Sequence, residues 1–411
     1  MTEDTPQLPL LEQPRVDSVV LVDDISSFDV AVSTLANATG PIAIDAERAS
    51  GFKYSQRAYL IQIHRAGTPI YLIDPIALLQ TDAHAFARLA DAINGSEWIL
   101  HAASQDLPCL RELGLEPHSV FDTELAARLA GFERVGLGAV TEQILSIRLA
   151  KEHSAVDWST RPLAPDWLNY AALDVDVLLE LREGMIKILI EQKKLDWAKQ
   201  EFAAVINSPP KSPKQDRWRS MTGMHEIRDA RALAIAKELW QAREELAKKL
   251  DVSPGRLVPD LSLVGVAKAP PKTKPELASS KTFTGRASRT YLDIWWAAIQ
   301  AGQTARELPP LRLPATGIPN HRTWPNRFPE ADRRLKAVRT ALTELAEKNN
   351  LPLENMMTPD YVRQVCWEPP ADRSTQSVAD TLTSLGARAW QTDLVAEVML
   401  QAITEADQIP E

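Results

Sequence analysis

Between residues 41 and 175 the apolar positions switch repeatedly between the two-residue period of strands and the roughly 3.6-residue period of helices. Residues 41–47 (PIAIDAE), 58–64 (AYLIQIH) and 69–74 (PIYLID) read as strands, with a compact hairpin-like break at Gly67-Thr68 between the last two. Phe86, Leu89, Ala90 and Ile93 then recur at helical spacing up to Asn94-Gly95. A short strand at 97–102 leads into a helix from Asp106 to Leu113, closed by Gly114. A last strand at 119–122 precedes a helix from Thr123. Hairpins first and crossover helices later predict an α/β fold on a mixed sheet.

From Pro165 onward the pattern is helical. An apolar stripe runs from Leu168 to Leu189, and a second helix runs through Trp197 and Phe202. The polar, proline-rich segment 207–213 (NSPPKSP) ends this first unit, residues 1–206. A small helical bundle follows at 214–285, with an amphipathic helix from Ile227 to Leu250. The Lys/Pro-rich stretch 268–288 separates it from a third helical unit at 289–411, itself interrupted by prolines between Leu308 and Pro329. Whether the third unit is a divergent copy of the second stays open.

The chain's 411 residues exceed one ordinary core, and 45% apolar with 25% charged residues is the make-up of a soluble globular protein. No apolar run is long enough to span a bilayer. The acidic, proline-broken start (MTEDTPQLPLLEQP) lacks the basic and apolar parts of a signal peptide, so a cytoplasmic location is expected. Cys109 and Cys366, far apart, fit reduced thiols better than a disulfide or zinc site. The net charge of −9 argues against a polyanionic partner until its distribution is considered. Residues 207–290 hold 17 Lys/Arg against 9 Asp/Glu, a balance of +8, which suits local phosphate binding as well as it suits a solvated helix face.

Asp45 and Glu47 are two apart on a strand, so both point to one face. Paired carboxylates there repel each other unless a cation lies between them, and hard oxygens suit Mg²⁺ or Mn²⁺. Alone, the pair also fits a solvated strand end. Asp106, where a strand passes into a helix, alone reads as a carboxylate favoured by the helix dipole. Tyr170 and Asp174, four apart, stack phenol and carboxylate on one helix face.

Taken in order, strand Asp-x-Glu, strand-to-helix Asp and helical Tyr-x-x-x-Asp resemble the DEDD superfamily of exonucleases, in its tyrosine subclass. The flanking segments YLIQI (59–63), LHAASQDL (100–107), VFDTELAA (120–127) and DWSTRPL (157–163) are similar to ribonuclease D. The resemblance covers about residues 20–205. The basic unit resembles the HRDC domain through REELA (243–247), PDL (259–261) and PEL (275–277).

This resemblance implies a ribonuclease H-like fold with two divalent metal ions, Mg²⁺ or Mn²⁺, held by Asp45, Glu47, Asp106 and Asp174. Tyr170 would orient the attacking water. The implied substrate is RNA with a single-stranded 3′ end, tRNA precursors being the family precedent, and the products are nucleoside 5′-monophosphates. A DNA 3′–5′ exonuclease is the nearest alternative, because one metal site serves both polymers, and a non-catalytic RNA-binding adaptor is a second. Further substrate contacts are expected from Gln62, His101, Trp158 and Arg161, with Trp218 a possible stacking platform. For Arg161 an ion pair with Asp157 or Asp166 is the competing role. His153, Asp157 and Asp176 stand outside the pattern.

Overall fold

The computed structural model describes residues 8–150, 156–209, 216–313 and 317–408, so His153 and most of the 207–213 linker lie outside the described residues. Among the described residues eight strands occur in chain order: β1 (Leu10–Leu11), β2 (Val19–Val22), β3 (Ile42–Arg48), β4 (Ala58–Arg65), β5 (Ile70–Ile73), β6 (Glu97–Leu100), β7 (Ser119–Asp122) and β8 (Arg148–Leu149). Six form one sheet in the order β2-β5-β4-β3-β6-β7, while β1 and β8 pair separately. The β3-β4-β5 meander is antiparallel and the outer pairings are parallel, which is the mixed sheet expected. The edge strand β2 is not evident in the apolar pattern, because only Val22 of its four residues is buried.

Side-chain alternation divides the sheet into two faces. Ile42, Ile44, Ala46, Ile61 and Ile63 enter a core with Phe28, Phe86, Leu89 and Trp98. Ala43 and Leu60 face the other way, onto Ala171, Ala172 and Val175 of the helix Pro165–Asp176. Asp45 and Glu47 share the parity of Ala43 and therefore point at that helix.

That second core does not stop at the first unit. It runs on through Met185, Ala198 and Phe202 into Trp324, Leu335, Val365, Leu382, Val395 and Ile403. Trp197 and Trp390 stack across the junction with centroids 4.8 Å apart. Glu201, buried, accepts from the Arg388 guanidinium and from Trp390 Nε1 at 2.8 Å. Gly131, at φ +81°, leaves room for Asn350, whose side-chain nitrogen would sit 2.2 Å from any Cβ there.

The middle unit has its own core around Trp218, Leu239, Leu263 and Trp295. Its last helix, Leu292–Thr304, was assigned by sequence to the third unit. It instead crosses the helix Ala230–Leu250 so closely that Gly302 meets the Ile235 backbone. The separation between these bundles thus falls after Thr304, because Trp295 and Ile299 complete the middle core. This unit clasps the loop after β3. Ser253 donates to the Phe52 carbonyl at 2.9 Å, Arg256 lies 3.9 Å over the Phe52 ring, and Asp251 accepts from the Ser55 amide at 2.8 Å.

Candidate active site

The acids converge at the carboxyl end of β3, where open α/β sheets place their ligands. Asp45, Glu47 and Asp174 offer carboxylate oxygens all within 4.8 Å of one another. Asp106 joins them through a hydrogen bond with Asp45, and Tyr170 hydrogen-bonds Asp174. Asp106 is brought there by a turn rather than by a cap. The parallel strand β6 ends at Leu100, Ala102 adopts φ 61°, and Asp106 begins Leu107–Arg111 without a side-chain capping bond. Asp122 holds that turn by accepting the Ala102 and Ala103 amides at 3.1 and 2.8 Å. It also caps its own helix through Glu124 and Leu125.

Burial of like charges dominates the electrostatics. Desolvation pushes Asp45 and Asp106 above the ordinary carboxylate range, and desolvation plus repulsion from Asp45, Asp174 and Asp106 pushes Glu47 up to about 10. The same burial and the nearby acids raise the Tyr170 phenol, which therefore stays protonated and able to donate. Burial also raises Asp122, to about 6. Such a cluster calls for cationic charge, and an all-oxygen donor set fits hard divalent ions. Gln62, directly across from Asp45 in the β3–β4 register and fully buried, has neither amide atom hydrogen-bonded among the described residues, a further polar group beside the acids.

The other sequence candidates are tied into the scaffold. Trp158 is wholly buried against Trp167, so its ring faces the core and not a base. His101 bonds Thr123 at 2.9 Å, and burial lowers its pKa to about 4, leaving a neutral ring. Arg161 pairs with neither Asp157 nor Asp166. Its guanidinium takes both oxygens of buried Asp74 and donates to the carbonyls of Tyr59, Trp158 and Thr160. Trp218 is likewise buried, bonded to Asp216 and covered by Arg219, so it offers no stacking platform. Asp176, outside the sequence pattern, proves to be a buried partner of Arg15, which fastens the N-terminal arm to the Tyr170 helix.

Arg161→Met is expected to lower stability by about 3–5 kcal/mol, the range for stranding a buried carboxylate, here Asp74. Denaturant titration checks this. The salt dependence of RNA binding should match the parent; a shallower slope would return Arg161 to the substrate.

The acid cluster stands at the carboxyl end of a central strand, on a mixed sheet covered by helices, and the family model described as 3′-5′ exonuclease, which matches residues 19–190, puts this arrangement in the 3′–5′ exonuclease class. The HRDC domain model matches residues 232–299, and the 3′ to 5′ exonuclease C-terminal domain model matches 317–403. The chain belongs to the ribonuclease D family and is a 3′–5′ exoribonuclease: it is 31% identical to ribonuclease D of Zymomonas mobilis over 72% of this chain and 74% of that one. Ribonuclease D of a Jannaschia species is 28% identical over 74% and 76% of the two chains. Among solved structures, a protein from Bifidobacterium adolescentis superposes with TM-score 0.88 at 39% identity, covering 97% of this chain and 100% of that one. Escherichia coli RNase D shares the fold, with TM-score 0.67 at 22% identity over 94% and 99% of the chains.

An acidic cluster in this exonuclease fold implies dependence on divalent metal. No helix among the described residues is long and apolar enough to cross a membrane.

Proposed function

We propose that the chain removes single nucleotides from the 3′ end of structured RNA, tRNA precursors among them, in the cytoplasm, with Mg²⁺ or Mn²⁺ held by Asp45, Glu47, Asp106 and Asp174. The observation that carries this is the convergence of three of those carboxylates within 4.8 Å, with Asp106 hydrogen-bonded to the group. When bound, a pair of divalent ions supplies an activated water and counter-charge for the leaving 3′-oxygen. Tyr170, protonated and anchored by Asp174, would orient the attacking water, and the product would be a nucleoside 5′-monophosphate.

A degradation time course on a tRNA precursor with a 3′ trailer, run beside an unstructured RNA and a DNA of one sequence, tests the substrate. Stepwise shortening that stops at the structured body is expected; equal attack on DNA would overturn the preference. Tyr170→Phe should lower kcat by about 10- to 100-fold while the metal midpoint from thermal shift stays near that of the parent. Undiminished kcat would remove the phenol from the reaction.

A further inference from the structure

Arg48 follows the metal-binding pair directly, and sequence gave it no role. A strand residue next to Glu47 should point to the opposite face. The β3–β4 register shifts between Glu47 and Arg48, and that irregularity turns the guanidinium back toward the acids, to 3.9 Å from Asp106. On its far side the chain is fixed: Phe52 and Lys53 donate to the Ala49 carbonyl, and the middle unit clasps Gly51 and Phe52. The base of Arg48 is thus held at the rim of the site.

Its donors are open. Arg161 spends its guanidinium on Asp74 and backbone carbonyls, and buried Arg65 spends its own on Leu35 and Gly40. No hydrogen bond joins the Arg48 guanidinium to the described residues, and about a quarter of the side chain (27%) stays accessible. Charge completes the argument. Two divalent ions would balance the four carboxylates, which would leave the Arg48 guanidinium, 3.9 Å from Asp106, to face a phosphodiester. Once Asp106 serves a metal ion, its hold on Arg48 weakens.

We propose that Arg48 binds a non-bridging oxygen of a phosphodiester within the last three linkages of the RNA, as a substrate-contacting residue of the exonuclease site. The inference rests on the reading of the acids as metal ligands, and its test uses binding so that its failure is distinct from theirs. In the full-length protein with Mg²⁺, a 5′-fluorescent RNA carrying slow-cleaving terminal phosphorothioates reports Kd by anisotropy. Arg48→Met should weaken binding about 10- to 100-fold, as for loss of a charge-assisted hydrogen bond. The slope of log Kd against log salt should become shallower by about 0.7, the value for one phosphate of a single strand. Arg48→Lys should restore the slope and only part of the affinity.

The contact itself is read by a double cycle in which a neutral methylphosphonate replaces each of the last three linkages in turn. At one linkage the loss should appear in the parent and largely vanish in Arg48→Met. Additive losses at all three linkages would overturn the proposal, as would a shifted Mg²⁺ midpoint with unchanged Kd, which would make Arg48 a counter-charge only. If the ligand assignment is wrong instead, Asp45→Asn leaves the Mg²⁺ midpoint unmoved, whatever Arg48 does.

Discussion

Asp45→Asn and Asp174→Asn are each expected to lower turnover of a single-stranded RNA by about a thousandfold, while RNA binding survives. Each replaces one charged oxygen of the cluster by a neutral one, and electrostatic groups at reacting centres carry effects of this order. Normal turnover in both would dismantle the site. Glu47→Gln should pair the same loss with a gain. Glu47 titrates near 10 in the folded chain against about 4.5 unfolded. Its neutral form belongs to the native state, so the contribution is complete below about pH 4.5 and is lost as pH rises toward 10. Without metal, the parent should therefore lose Tm from pH 5 to 9 more steeply than Glu47→Gln. Added Mg²⁺ should rescue the parent far more than the variant. Parallel Tm profiles in chelator would show that Glu47 is not under this strain.

The second large effect lies far from the chemistry. Trp390→Ala should destabilise the exonuclease unit by about 3–5 kcal/mol, the cost of emptying a buried tryptophan site. Trp390 is 3% exposed, stacks on Trp197 and donates to Glu201, all within a core continuous with the sheet. Thermal unfolding followed by loss of nuclease activity measures it. A variant whose activity melts at the parent's temperature would show that the last unit is a detachable appendage. By the same reasoning, cutting the chain at residue 207 exposes apolar surface, and so confounds any test of what the helical units do for RNA binding.

Sequence patterning carried the meander, the crossover helices and the acids, because each depends on local period or on parity along one strand. Asp45 and Glu47 were readable because a two-residue spacing fixes their common face. Tyr170 and Asp174 were readable because a four-residue spacing does the same on a helix. Arg48 was not, because parity assigns it to the wrong face until the register shift is seen. The structural roles of Asp122, Arg161 and Asp176 are not legible in sequence for a related reason. Their partners, the Ala102–Ala103 turn, Asp74 and Arg15, are brought together by the tertiary fold and leave no periodic trace. The middle unit's boundary was placed early because a Lys/Pro-rich stretch resembles a linker, although Phe283 and Leu277 within it are buried.

The continuous core also bears on synthesis. The helix Ala389–Asp407 covers Trp197 and Glu201 on the helix Leu195–Asn207. Domains emerge from the ribosome in sequence order and fold as their cores become complete. Here the core behind the catalytic face lacks a wall until the last helix has left the exit tunnel. A chain that stops short of this helix therefore leaves uncovered the apolar surface that Trp390 and its neighbours close in the folded protein.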